Sequence, residues 1–226
     1  MQYENIREAK FLSRPNRFIA WVDIDGRTEL CHVKNTGRCR ELLIPGARIF
    51  IQEKNGPTRK TKYDLISVFK GDRLINMDSQ APNRIFEEWV QGSGLFHDLT
   101  KVRPECKHGS SRFDFYIEAD GERAFVEVKG VTLEENGVAL FPDAPTIRGV
   151  KHLRELIICV SEGFRGYAVF IVQMRGVKHF TPNTRTHPEF TEALIAAQKN
   201  GVTLLALDCD VTKTGIIAKK PVDIIL

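Results

Sequence analysis

The sequence lacks any apolar run near the ~20 residues of a membrane span, and its first residues lack the apolar stretch of a signal peptide. Its five cysteines are scattered and form no Cys-x-x-Cys pair, which argues against zinc and disulfide-exchange chemistry. The sequence contains no glycine-rich nucleotide-binding loop, which argues against a sugar-metabolising enzyme. The remaining composition, 42% hydrophobic and 27% charged, is that of a globular protein. We therefore expect a cytoplasmic protein with reduced cysteines and no membrane association.

The positive charge is concentrated in the first third of the chain. Residues 1–80 carry 15 Lys and Arg against 10 Asp and Glu, whereas residues 81–226 carry 18 against 19. A basic surface can face nucleic acid, an anionic membrane or simply solvent. The asymmetry predicts two functional units, residues 1–80 and residues 81–226.

Residues 1–80 are predicted to form a small β-barrel. Five short β-rich segments are separated by turn signals such as Asp25-Gly26 and Gly71-Asp72. The segments are residues 18–23, 28–34, 48–53, 63–70 and 73–77. Five strands in this length favour an OB-type barrel, with a Src-homology-3-like barrel as the alternative. The basic loop at residues 54–62 is either a phosphate contact or a solubilising loop.

Residues 81–226 alternate between helical and strand patterns. Helices are predicted at residues 83–91, 147–162 and 190–200, the last with a Thr186-x-x-Glu189 capping box. Strands are predicted at residues 112–118, 123–129, 138–141, 165–174 and 202–207, followed by a hairpin at residues 216–226. This order predicts an α/β domain with a mixed sheet covered by helices.

One predicted hairpin contains the candidate catalytic residues. If Asp120-Gly121 is a type I′ turn, cross-strand partners have residue numbers that sum to 241, and Asp114 lies opposite Glu127. The same register places the apolar pairs on the other face of the hairpin. The pairs are Phe113 with Val128, Phe115 with Val126 and Ile117 with Ala124.

Two opposed carboxylates are normally destabilising, and a divalent cation would relieve their repulsion. Oxygen ligands of this kind suit Mg²⁺ or Mn²⁺. Lys129, two residues after Glu127, adds a cation on the same face. Asp114, Glu127 and Lys129 therefore form a candidate catalytic site for metal-dependent phosphodiester cleavage, with Asp114 and Glu127 as metal ligands. A structural surface cluster is the alternative interpretation.

This hairpin resembles the PD-(D/E)xK nuclease core, with Phe113 where that motif has proline. Along nearly its full length, the chain is similar to the sugar fermentation stimulation protein A family. The similar stretches are NTGR (35–38), ELLIPG (41–46), SRFDF (111–115), FVEVKGVTL (125–133) and FPDAPTIRGVKHLREL (141–156). The resemblance implies an OB-like N-terminal domain, a PD-(D/E)xK nuclease-like C-terminal domain and DNA binding with little sequence preference.

Further site residues are candidates for contacts to metal or substrate. Periodicity does not decide between Glu87 and Glu88 on the first helix, and the resemblance favours Glu88 as a metal ligand. Arg38 is either a phosphate contact or part of a simple tight turn. Arg112, opposite Lys129 in the predicted register, is a candidate substrate contact.

The helix after the hairpin has a polar stripe, which is either a solvated face or a phosphate-binding surface. The stripe consists of Arg148, Lys151, His152 and Glu155. In the functional interpretation Lys151 and His152 contact the scissile phosphate, with Arg148 beside them, and Asp143 and Thr146 lie at the helix entrance near the metal.

Two functions are consistent with these patterns. In the first, the protein is a Mg²⁺- or Mn²⁺-dependent DNA nuclease whose barrel grips single- or double-stranded DNA. In the second, it is a non-catalytic DNA-binding regulator of sugar utilisation that keeps the nuclease scaffold. The intact Asp114, Glu127 and Lys129 favour the first, because a pure binder gains nothing from opposed carboxylates beside a polyanion. The sequence leaves the oligomeric state open, with a homodimer as one option.

Overall fold

The computed structural model describes residues 1–35, 37–57 and 59–226. Thr36, in the predicted arginine-bearing turn, and Thr58, in the basic loop, lie outside the described residues. The described residues form fifteen strands and three helices. The strands are β1 (Ile6–Asn16), β2 (Ile19–Ile24), β3 (Arg27–Val33), β4 (Arg48–Glu53), β5 (Tyr63–Lys70), β6 (Arg73–Asn76), β7 (Leu99–His108), β8 (Ser111–Ala119), β9 (Glu122–Val131), β10 (Leu133–Glu135), β11 (Val138–Phe141), β12 (Arg165–Val172), β13 (His179–Pro182), β14 (Val202–Thr212) and β15 (Gly215–Val222). The helices are α1 (Ala81–Val90), α2 (Ile147–Ser161) and α3 (Pro188–Lys199).

The N-terminal strands form the expected five-stranded barrel, but its membership differs from the prediction. The ring runs β3-β2-β1-β4-β5 and closes through parallel pairing of β3 with β5. Strand β1 was missed because only Ala9 and Phe11 of its side chains are fully buried, so its charged sequence shows little alternation. Strand β6, predicted as the fifth strand, pairs with β5 outside the ring.

Two of the predicted hairpin turns have the backbone geometry that their sequences require. Asp25 and Gly26 have φ of 54° and 82°, and Asp120 and Gly121 have φ of 56° and 74°. Positive φ at both central residues is the signature of a type I′ turn, which Asp-Gly adopts at low cost. The prediction of both turns is confirmed, and the second sets the start of the β8–β9 hairpin.

The second large sheet has the order β15-β14-β12-β9-β8-β7, with β9, β12 and β14 parallel. Strand β12 is buried on both faces. Tyr167 and Val169 belong to the buried cluster beneath α1, whereas Ala168 and Phe170 belong to the cluster beneath α2 and α3. This second cluster is continuous with the barrel interior. The predicted mixed sheet covered by helices is therefore confirmed.

Several elements differ from their predictions for local reasons. Strand β7 was missed because it is a mostly polar edge strand containing Pro104. Strand β11, predicted as a member of the main sheet, lies in a separate sheet of order β10-β11-β13. The capping box at Thr186 does not form, since Pro188 begins α3 and makes His187 the N-cap residue. In the described ranges, no helix has the length and apolarity needed to cross a membrane.

A buried polar contact holds the barrel against the second sheet. Gln173, just after β12, donates from Nε2 to Asn76 Oδ1 at 2.9 Å and to the Asp78 carbonyl at 3.0 Å. The Asn76 N–H donates back to the Gln173 carbonyl at 2.9 Å. Because α1 begins three residues after Asp78, this junction also fixes where α1 starts on the sheet.

We predict that Gly130→Ala destabilises the protein by about 2 kcal/mol, within the range for overpacking a core. A Cβ at Gly130 would lie 2.5 Å from Gln173 Oε1 and 2.7 Å from Pro82 Cγ. Gln173 cannot move away easily because its amide is hydrogen-bonded on the barrel side. Gly92→Ala is the control, since a Cβ there meets nothing within 4 Å. Urea unfolding of both variants measures the difference, and equal stabilities would contradict the prediction.

Candidate functional site

The β8–β9 hairpin follows the predicted register only near its turn. Phe115 pairs with Val126 and Ile117 with Ala124, as predicted. The ladder of paired residues stops there, and the predicted backbone pairing of Asp114 with Glu127 does not form. The Asp114 side chain replaces a backbone acceptor at this point, because its Oδ2 accepts a hydrogen bond from the Val128 N–H at 2.7 Å. The predicted pairs 113–128 and 112–129 are likewise absent from the ladder.

The break in the pairing of β8 with β9 also changes the face of the sheet on which Phe113 lies. Its ring packs against Phe125 on the α2 side of the sheet, at a centroid distance of 5.2 Å. Phe115 instead packs against Phe86 of α1, also at 5.2 Å. The prediction of one apolar face that includes both residues is therefore wrong. Asp114, between them, contacts α1 while Glu127 contacts α2, so the two carboxylates reach the site from different sides.

Asp114 is held by two hydrogen bonds. Besides the backbone contact to β9, its Oδ1 accepts from Asn83 Nδ2 of α1 at 2.9 Å. Burial raises the pKa of Asp114, and the nearby negative charge of Glu127 raises it further. These contacts fix the orientation of the carboxylate, and the raised pKa reflects a negative charge that lacks full compensation.

Glu127 is buried, with only 3% of its surface exposed. Its Oε1 contacts both Lys129 Nζ and His152 Nδ1, whereas its Oε2 is buried and has no hydrogen-bond partner among the described residues. Burial raises the pKa of Glu127, but the contacts with His152 and Lys129 outweigh this effect and hold the pKa below its ordinary value. Glu127 is therefore held as a carboxylate with one oxygen unused.

His152 lies inside the protein, on neither the solvated face nor the phosphate-binding surface considered for the polar stripe. It is 4% exposed, and Arg148 Nε donates to its Nε2 at 3.3 Å. Its Nδ1 therefore carries the proton that is donated to Glu127 Oε1. The predicted polar stripe is divided accordingly. His152 orients a carboxylate, whereas Lys151 is exposed and pairs with Glu155 at 3.6 Å.

Thr146 and the backbone of Arg38 lie near the start of α2. Thr146 is the N-cap of α2, and its Oγ1 accepts from the Gly149 N–H at 3.1 Å. The backbone N–H of Arg38 donates to Asp143 Oδ2 at 3.1 Å, which joins the barrel turn to the loop before α2. The Arg38 side chain is exposed. Thr146 therefore caps and positions the start of the helix.

The structure does not bring Glu88 or Arg112 to the carboxylate pair. Glu88 binds the N-terminal ammonium of Met1 at 2.5 Å and faces Arg84 at 3.5 Å. Arg112 is exposed and pairs with Glu105 at 3.1 Å. Since residues four apart share a helix face, Glu87 lies on the same side of α1 as Asn83.

Sequence reasoning missed Asn83, which orients Asp114. Its spacing of four residues from Glu87 was the available signal, because that spacing places both polar side chains on one side of a short amphipathic helix. The sequence cannot indicate which side of α1 covers β8, so the contact with Asp114 could not be predicted.

The described residues contain no cluster of three or more His, Cys, Asp and Glu side chains arranged to hold a metal ion. Asp114 and Glu127 nevertheless fit a Mg²⁺-like ion, which is commonly bound by one or two carboxylates and keeps several waters. The unpartnered Glu127 Oε2 is a suitable ligand atom, and a cation would offset the repulsion that raises the pKa of Asp114.

Comparison with known proteins identifies the family. Residues 12–77 match the model of the SfsA N-terminal OB domain, which favours the OB over the Src-homology-3-like interpretation of the barrel. Residues 80–215 match the model of the sugar fermentation stimulation protein RE domain.

Relatives match over almost the whole chain. A sugar fermentation stimulation protein homolog from Desulfitobacterium hafniense is 62% identical over 218 residues, covering 96% of this chain and 95% of the relative. The homolog from Clostridium beijerinckii is 56% identical over 226 residues, covering both chains completely. The solved structure of Pyrococcus furiosus SfsA in complex with Ca²⁺ is 30% identical, with a TM-score of 0.90, and covers 100% of this chain and 98% of that one. The chain therefore belongs to the sugar fermentation stimulation protein (SfsA) family.

Proposed function

We propose that this protein binds DNA with little sequence preference and hydrolyses its phosphodiester bonds with the help of Mg²⁺ or Mn²⁺. The proposal is carried by Glu127, which contacts Lys129, lies near enough to Asp114 for its charge to raise the pKa of that carboxyl, and has one buried oxygen without a partner among the described residues. A buried acceptor without a partner is costly in a folded protein, and a bound cation would satisfy it.

Asp114 and Glu127 would hold the metal. The similar SfsA protein from Pyrococcus furiosus was solved in complex with Ca²⁺, another divalent cation that prefers oxygen ligands. This supports divalent metal binding here. When bound, such a cation supplies a water-derived nucleophile at neutral pH and neutralises charge that develops on the phosphate. Glu88, which the family resemblance favoured as a third ligand, is tied to Met1 and Arg84, so Glu87 is the better candidate for a more distant acidic contact.

Other residues would position the reacting groups. Lys129 Nζ contacts Glu127 Oε1 and retains N–H donors that can reach a phosphate oxygen. An ammonium at this point stabilises the negative charge of the transition state. Arg148 is exposed at the first turn of α2, where the helix dipole also favours an anion, and is a candidate phosphate contact.

The test is an incubation of the purified protein with single-stranded and double-stranded DNA, in chelator and in Mg²⁺ or Mn²⁺. The proposal expects cleavage only with added metal. Cleavage in chelator would overturn the metal-dependent mechanism. Binding of DNA without cleavage in either metal would instead favour the non-catalytic regulator.

We predict that His152→Phe weakens Mn²⁺ binding and lowers activity by about 10–100-fold, the usual effect of losing a residue that orients a metal ligand. Phenylalanine fills the buried site but cannot donate to Glu127. His152→Asn places an amide N–H near the position of Nδ1 and should restore most of the function. Titration of Mn²⁺ against activity separates metal affinity from kcat. Equal losses in the two variants would argue for a packing role only.

A further inference from the structure

A basic groove crosses the surface of the barrel, beside the end of β1. It has a volume of about 610 Å³ and its lining includes four arginines. They are Arg14, Arg17, Arg38 and Arg40. In the described part of the chain, none of the four forms an ion pair with a carboxylate, although ten ion pairs of the same chain involve other arginines. Unpaired arginines in a groove are typical of a site for a polyanion.

Arg14 is the structural member of this group. Its guanidinium donates to the carbonyls of Asn35, Gly37, Arg38 and Arg17 at 2.7–2.9 Å. These bonds fix the turn that carries Arg38 against the β1–β2 hairpin that carries Arg17. The groove is therefore preformed, and the guanidinium groups of Arg17, Arg38 and Arg40 remain available to a ligand.

Two exposed aromatic side chains lie next to residues that line the groove. Phe18 is 45% exposed, with the Arg17 guanidinium 5.1 Å from its ring centroid. Trp21 is 39% exposed and pairs across strands with Ser13, which lines the groove. Every other aromatic side chain in the described ranges is buried or half-buried. Exposed aromatic rings beside arginines are the features on which unpaired nucleobases stack.

The groove adjoins a second cavity. Gly37 lines both the groove and a second, narrower polar cavity of about 170 Å³. That cavity is also lined by Asp143 and by Gly130, the residue after Lys129. A side chain at Gly37 would collide with the Asp143 carboxylate, so glycine at this position allows the barrel backbone to pack against Asp143.

We propose that the groove binds single-stranded DNA as the substrate of the candidate site at Asp114, Glu127 and Lys129. This inference rests on the proposed function. Unpaired bases would stack on Phe18 and Trp21, while phosphates contact Arg17 and Arg38. A duplex hides its base faces within the helical stack, so it cannot use the aromatic rings in this way.

The experiment measures binding of a fluorescent oligothymidine and of a duplex of equal length to the full protein, in chelator so that neither is cut. Phe18→Ala and Trp21→Ala should each weaken single-strand binding by on the order of tenfold and leave duplex binding unchanged. Arg17→Ala and Arg38→Ala should each reduce the salt dependence of single-strand binding by about 0.7 in the log–log slope. The controls are Ile217→Ala, which removes an exposed apolar side chain, and Arg48→Ala, which removes an exposed charge.

Equal affinity for both DNAs, or unchanged single-strand binding in Phe18→Ala and Trp21→Ala, would overturn the inference. Binding that follows the expected pattern supports it even if no metal then produces cleavage, in which case only the proposed hydrolysis fails. If wild type cleaves DNA but the aromatic variants bind single strands as well as wild type does, the groove proposal fails and the proposed hydrolysis stands.

Discussion

Glu127→Gln should reduce metal-dependent DNA cleavage by on the order of a thousandfold. A metal ion supplies several kcal/mol of transition-state stabilisation, and each ~1.4 kcal/mol changes the rate tenfold. Glutamine keeps the size of the side chain and can still accept from His152 through its carbonyl oxygen. It removes the negative charge and places an amide or a neutral oxygen where the unpartnered Oε2 lies.

Asp114→Asn should cause a similar loss, and the double variant should be little worse than either single variant. Two ligands of one ion act as a unit, so their effects on rate are not additive. Glu162→Gln is the control, because it removes an exposed carboxylate that pairs with His108 on the surface. Activity is measured as the initial rate of DNA cleavage at saturating Mn²⁺. Wild-type rates in Glu127→Gln would exclude Glu127 from the catalytic site.

The part of the hairpin near its turn could be predicted because two local rules agree. Asp120-Gly121 specifies a tight type I′ turn, and the alternation of apolar residues specifies the register from that turn outward. Beyond Phe115 the rule fails, because the Asp114 side chain replaces a backbone acceptor for the Val128 N–H. A side chain that replaces one backbone acceptor of a strand leaves no periodic signal in the sequence.

Burial of polar residues limited the prediction of the site. His152 shares a helix face with charged residues, so its spacing suggested a solvated face or a phosphate-binding surface, whereas its ring is buried against Glu127. Periodicity treats every histidine as polar, although a histidine whose two nitrogens are both hydrogen-bonded can be buried at low cost. The partner that makes this possible, Glu127, is 25 residues away in the chain.

The choice between Glu87 and Glu88 depended on tertiary contacts in the same way. Consecutive helical residues point about 100° apart, so either could face a neighbouring strand. Two contacts decide the orientation, since Asn83 binds Asp114 and Glu88 binds the ammonium of Met1. Neither contact could be inferred from the sequence of α1 alone.

A divalent metal should stabilise the wild-type protein and fail to stabilise Asp114→Asn. An ion that binds only the folded state contributes about 2.7 kcal/mol at a hundredfold excess over its Kd. The pKa of Asp114 is raised by burial and by Glu127. An acid with a raised folded-state pKa stabilises the fold at low pH, and this contribution is lost as the pH rises through the folded-state pKa. Asparagine does not ionise and avoids that loss.

In chelator at neutral pH, Asp114→Asn should therefore equal wild type or exceed it by about 0.5 kcal/mol. Its carbonyl can accept from the Val128 N–H while its amide donates to Asn83 Oδ1, so both hydrogen-bonding positions stay occupied. Asp25→Asn, at an exposed turn where asparagine tolerates the positive φ, is the matched control and should keep the full metal-induced shift. Thermal melts of the three proteins in chelator and in Mn²⁺ measure these differences. If Asp114→Asn retained the whole shift, the ion would bind elsewhere, and the two carboxylates would have to be explained as a structural pair held by Asn83 and His152.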